Sequence, residues 1–171
     1  MKKSLIGAVL GMLFIAACSS TSTNNAADVT FARDMVPHHE QALEMAKLVP
    51  DRSGDDQVRR LAQRVEKAQD PEITQLNAWL EEWGEKPDGH AGHDMAGMMS
   101  HDDMAKLEKA SGAEFDRMWL EMMVEHHEGA VEMARTELEN GQDADAKKLA
   151  QAIIDGQQQE ITEMKDLLKT K

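Results

Sequence analysis

The chain has 171 residues, with 32 Asp and Glu against 19 Lys and Arg and a formal charge of −13. Such a surface repels nucleic acid and anionic lipid, so neither is expected as a partner, and cations are favoured. A single cysteine excludes an internal disulfide. Tyrosine is absent and there are three Trp and three Phe, so the 13 methionines stand out.

The first segment reads as an address. Lys2 and Lys3 precede an apolar stretch from Leu5 to Ala17, too short to span a bilayer as a helix. Ile15-Ala16-Ala17-Cys18 has the pattern of a bacterial lipoprotein signal. Residues 1–17 are therefore expected to be removed, and Cys18 to become the acylated first residue. Ser19, rather than Asp, after the cysteine favours the outer membrane. The expected location is the periplasmic face of the envelope, with residues 18–29 as a polar tether. Loss of Lys2 and Lys3 takes the charge from −13 to −15.

Beyond the tether, the chain repeats itself with an offset of 88 residues. Residues 31–80 align with 119–168 without a gap, and 18 of the 50 pairs are identical. Met35-Val36-Pro37-His38-His39-Glu40 meets Met123-Val124-Glu125-His126-His127-Glu128, and Gln69 and Glu72 meet Gln157 and Glu160. Two such halves imply a tandem duplication.

Each half reads as a helical hairpin. In the first, helices are expected over roughly 31–49 and 55–83, with Asp51-Arg52-Ser53-Gly54 as the turn. Pro37 should kink the first helix or mark its start, and Pro71 should bend the second. In the second half, helices are expected over roughly 112–139 and 143–169, around Asn140-Gly141. The organisation is then a first hairpin over 30–83, a His/Met-rich mobile crossover over 84–104, and a second hairpin over 105–171. Neither hairpin can bury its apolar face alone, so the expected fold is all-α, a four-helix bundle.

Steps of three and four residues place Phe31, Met35, His38, Ala42, Met45 and Val49 on one seam. The matching seam is Trp119, Met123, His126, Ala130, Met133 and Glu137. His38 and His126 thus point into the bundle, and His39 and His127 lie about 100° round the helix. Folding each hairpin about its turn sets His38 roughly level with Gln69 and His126 with Gln157. Glu72 and Glu160 lie one turn further on. These Gln and Glu side chains are candidates to orient the second nitrogen of a ligating histidine.

A buried imidazole needs a hydrogen-bond partner or a metal. Histidine on one core seam is usually structural, and Met stripes usually pack. Here the His-His pair recurs in both halves with Met three before and seven after each seam histidine. The crossover adds His90, His93, Met95, Met98, Met99, His101 and Met104. Thioethers select Cu(I) or Ag(I), and imidazole also serves Cu(II). The expected cargo is copper, Cu(I) before Cu(II) or Ag(I), with no organic cofactor. Candidate ligands are Met35, His38, His39, Met45, Met123, His126, His127 and Met133, together with the crossover residues.

The runs Met35–Ala46 and Met122–Ala134, and Gln157-x-x-Glu160-Ile161-x-x-Met164, resemble the domain of unknown function 305 family over roughly residues 28–169. The resemblance implies a ferritin-like four-helix bundle and a periplasmic copper-binding role of the metallochaperone type, in resistance, storage or delivery, with other envelope copper-handling proteins as partners. It also implies that the His-His and Met positions above are those that bind. The final helix departs from the family pattern, having Leu167 where Trp79 stands in the first half. A di-iron protein needs Glu three residues before the histidines, and Met35, Val36, Met123 and Val124 stand there instead. No enzyme motif is present, so no catalytic residue is expected. A metal-free acidic envelope protein that binds other proteins is the remaining alternative.

Overall fold

The computed structural model describes residues 24–86 and 95–171. The signal segment, Cys18, His90 and His93 lie outside the described residues. Five helices follow: α1 (Ala26–Arg52), α2 (Asp56–Glu82), α3 (His101–Lys109), α4 (Gly112–Asn140) and α5 (Ala144–Leu168). Among the described residues no helix is long and apolar enough to cross a membrane.

Three boundaries differ from expectation, each for a local reason. Helix α1 begins at Ala26, inside the expected tether. Asn25 caps it, accepting from the Ala27 and Asp28 amides, while the Asp28 carboxylate takes the Asn25 N–H at 2.5 Å. This reciprocal box satisfies the donors a helix start leaves open, so Pro37 does not mark the start. The helix continues through Pro37 and Pro50, and α2 continues through Pro71. A proline removes one backbone donor, and the buried seam on either side holds the helix across that gap. The end of the crossover, expected as loop, forms α3. Ser100 caps it by accepting from the Asp103 amide, and Leu107 is buried beneath it.

Helices α1 and α2 form one hairpin, α4 and α5 the other, and the hairpins join through α1 against α4. The Trp119 indole N–H donates to the Met45 carbonyl at 3.0 Å, which sets 45 level with 119 and 38 level with 126. Every residue of the α1 seam is buried, as are all but Met133 on α4. The apolar core falls into two clusters. One gathers Met45, Leu61, Trp119 and Met164, and the other Phe31, Leu76, Ala130 and Ile153. The four histidines lie between them as a polar layer.

At the α4 end of its seam, Glu137 is also buried, beside Asp28. Burial would raise Asp28. The backbone of Asn25, the Glu137 side chain and the backbones of Asp143 and Gln142 outweigh that and hold it below the usual carboxylate value. Burial first, and the Asp28 carboxylate second, push Glu137 up to about 8. Glu137 thus keeps its proton at neutral pH, and its buried carboxyl meets no hydrogen-bond partner. Gly141 leaves it the room, since a Cβ there would come within 2.1 Å of the Glu137 Oε1. The unfolded chain releases this proton near pH 4.5 and the folded chain near pH 8. The stability from Glu137 is therefore full below about pH 4.5 and declines as pH rises to about 8. Glu137→Gln keeps the size and polarity of the side chain without the titration. Thermal melts should show the wild type losing more stability than E137Q between pH 5 and pH 8. Superimposable pH profiles would mean that Glu137 is already ionised in the fold.

Candidate metal centre

The polar layer is built symmetrically from the two halves. The rings of His38 and His126 meet across the α1–α4 contact, with centroids 3.8 Å apart and planes tilted by 37°. Neither is exposed to solvent, and the same holds for His39 and His127. His39 Nε2 lies 2.7 Å from Glu72 Oε2, and His127 Nε2 lies 2.8 Å from Glu160 Oε2. The 88-residue offset thus carries the same bond into both halves. The carboxylates serve the flanking histidines, His39 and His127, and not the seam histidines His38 and His126.

These bonds fix tautomers. A carboxylate or carbonyl oxygen only accepts, so the nitrogen facing it carries the hydrogen. His39 and His127 donate from Nε2 to Glu72 and Glu160. His38 Nε2 lies 3.2 Å from the Ala96 carbonyl oxygen and donates to it. In neutral His38 the lone pair is then on Nδ1, and the Nδ1 atoms of all three rings are buried and meet no hydrogen-bond partner. Neither nitrogen of His126 meets one, and the buried amides of Gln69 and Gln157 are likewise unpartnered. Burial holds His38 down to about 3, helped by the neighbouring His39 and His127 and opposed by the Ala96 carbonyl. Burial, then the charges of His38, His127 and His39, hold His126 well below the usual histidine value, opposed by the backbone of His38. Both seam rings are neutral at physiological pH, the state in which imidazole binds metal.

The thioethers differ in reach. Met35 and Met123 are fully buried one turn from the seam histidines, one on either side of the layer. Met45 and Met133 stand seven residues away, about 10 Å along the axis, and pack with the apolar clusters. In the crossover, Met95 and Met98 are half-buried, whereas Met99 is buried in the cluster around Trp119. His101 is exposed at the start of α3, and Met104 packs on the same cluster. Among the described residues no three His, Cys, Asp or Glu side chains converge as a ready-made metal cluster. A carboxylate-bridged di-iron centre would need such a set. A soft ion held by imidazole and thioether would not.

Sequence reasoning missed the residues that bring the crossover onto this layer. Gln41 grips the Met99 backbone twice, donating to its carbonyl at 2.9 Å and accepting from its amide at 2.7 Å. Gly129 lets the Ala96–Gly97 backbone lie directly on α4. Positions 41 and 129 are equivalent under the 88-residue offset and differ inside an otherwise well-matched motif, which is the one signal the sequence carries.

The family described as domain of unknown function (DUF305) matches residues 28–168. Among solved structures, the chain is similar to a candidate secreted DUF305 protein from Streptomyces coelicolor, at 36% identity and a TM-score of 0.79, covering 84% of this chain and 93% of that one. It is also similar to a DUF305 fragment from Deinococcus radiodurans, at 31% identity and 0.80, covering 86% and 98%. CopM in its Cu(II)-bound form matches at 30% identity and 0.74, covering 84% and 96%. CopM is also solved with Cu(I) and with Ag. No curated protein matches the chain.

The His–Glu bonds lend themselves to a direct check. Removing one acceptor leaves a buried N–H unpaired, a loss of about 1–3 kcal/mol. Glu72→Ala and Glu160→Ala should each lower urea stability by roughly that amount. Glu163→Ala, which breaks only the exposed pair with Arg64, should change it by less than about 1 kcal/mol. Equal, small effects from all three would show that the buried rings do not depend on their carboxylates.

Proposed function

The chain belongs to the DUF305 family, and we propose on that footing that it is an exported copper-binding protein which holds Cu(I) in the polar layer between α1 and α4. One observation carries the reading. Three buried imidazoles have their Nε2–H tied to an oxygen, leaving Nδ1 atoms buried without a partner, and the fourth has no tie at either nitrogen. Histidines that ligate metal are usually held in this way, by an oxygen on the far nitrogen. Met35 and Met123 are fully buried one helical turn from the seam histidines, and a nitrogen–sulfur donor set favours a soft monovalent ion. Copper-bound CopM, alike in fold, lends support.

In this reading the crossover residues His90, His93, Met95, Met98 and His101 collect copper and raise its local concentration. His38, His126, Met35 and Met123 hold it, and His39 and His127 join from the flanks. Glu72 and Glu160 orient those two rings. Gln69 and Gln157 complete the buried polar shell. Acylation at Cys18 would keep the protein at the periplasmic face of the envelope, where resistance, storage or delivery to other copper-handling proteins are all served by reversible binding.

Competition for Cu(I) against a chelator tests the proposal. The wild type should bind tightly. The double variant H38A/H126A should lose that site, by about 100-fold or more in affinity, while its melt without metal shows it folded. Replacing His90 and His93 should leave the tight site in place. If H38A/H126A titrates like the wild type, copper is not held in the layer. If the wild type binds none, the histidines are structural.

A further inference from the structure

The two halves of the layer are equal except at one point. Glu72 and Glu160 hold His39 and His127 alike, but only His38, not His126, has an oxygen on its Nε2. That oxygen is the carbonyl of Ala96, which belongs to the crossover. The crossover is seated there by two contacts, one on each side of the layer. Counting from the Trp119–Met45 bond, Gly129 is level with Met35 and Gln41 with Met123. At the Gly129 end, a Cβ would lie 2.0 Å from the Ala96 carbonyl oxygen and 2.9 Å from the Gly97 Cα. No side chain fits at 129 with the segment in place. Gly97 has a φ of +77°, open to glycine at little cost, and a Cβ on it would come within 2.6 Å of the Glu125 carbonyl oxygen. At the other end Gln41 holds the Met99 amide and carbonyl together. The stretch 96–99 is thus strapped across His38 by positions that the duplication made equivalent, 41 and 129, which now do different work.

We propose that Gln41, Gly97 and Gly129 are positioning residues of the metal centre: they seat the 96–99 segment so that the Ala96 carbonyl holds His38 in its Nε2–H tautomer and keeps Nδ1 as the lone-pair nitrogen within the layer. The inference rests on the copper-binding reading for its purpose, but its geometry stands without copper. The crossover is then a structural member of the core site as well as a collector. His38 is the ligand of the seam pair that the crossover fixes, and His126 packs against it with no crossover oxygen on either nitrogen.

Nitrogen NMR of the metal-free protein, labelled at histidine, separates the two claims because it reads tautomers directly. In the wild type, His38, His39 and His127 should all appear as Nε2–H. In Gly129→Ala and in Gln41→Ala, His38 should move to a mixture or to Nδ1–H, while His39 and His127 stay as they are. Gln41→Ala adds no bulk and guards against misfolding of the glycine variant. Gly156→Ala, where a Cβ meets nothing within 4 Å, should change none of them. Cu(I) affinity should fall about 10–100-fold in both docking variants and stay unchanged in G156A. An Nδ1–H tautomer for His38 in the wild type, or an unchanged one in both docking variants, overturns the inference. A tautomer shift without loss of affinity overturns the role in the metal centre while leaving the docking. Failure of the wild type to bind Cu(I) overturns the functional reading, and the tautomer result still decides the docking.

Discussion

An imidazole removed from water has two nitrogens to satisfy, and this bundle places four imidazoles in one layer. Bonds to Glu72, Glu160 and the Ala96 carbonyl use three of the eight nitrogens. Each buried polar atom left alone costs about 1–3 kcal/mol, and a domain has a net stability of roughly 5–15 kcal/mol. Five nitrogens and two amides make no hydrogen bond within the protein, so a layer of this kind is suited to a polar guest. The two apolar clusters above and below it carry the folding, which lets the layer between them be specialised for binding. Desolvation also keeps His38 and His126 neutral, so an arriving cation meets lone pairs rather than protons.

The duplication explains why the layer exists. A hairpin carrying His-His-Glu on its first helix and Gln-x-x-Glu on its second contributes half of a polar shell. Two copies, packed through α1 and α4, bring the seam histidines ring to ring. Exact symmetry ends where the chain must connect the copies. The crossover lies on one side only, and positions 41 and 129 have diverged to receive it. A glycine there lets backbone touch backbone, and a glutamine at the equivalent site supplies both hydrogen bonds the segment needs. Symmetric architecture and an asymmetric site are thus compatible in one chain.

Much of this was legible in the residues. Heptad spacing alone places His38 and His126 on the buried seam, and the 88-residue offset pairs Glu72 with Glu160. Helix ends were less accessible. Asn25 and Asp28 form their cap through a reciprocal geometry that looks like polar linker in one dimension, and α3 was hidden in a segment rich in glycine and methionine. Counting residues about a turn gives axial level but not azimuth, so it brings Glu72 and Glu160 near the layer without saying which of the histidines each one meets. The same limit affected the methionines. Spacing treats Met35 and Met45 alike, whereas the helix rise separates one from the layer by a turn and the other by two. The Ala96 carbonyl is backbone, and no side-chain pattern announces it; the unmatched pair Gln41 and Gly129 was the trace it left.

Anomalous diffraction at the copper edge from crystals of the Cu(I)-loaded protein would locate the ion directly. A peak in the buried layer, within bonding distance of His38 and His126 nitrogens and a Met35 or Met123 sulfur, is the result this structure leads us to expect. Copper only along the crossover or on the acidic surface, with the four imidazoles unmoved and unligated, would contradict a metal centre in the core.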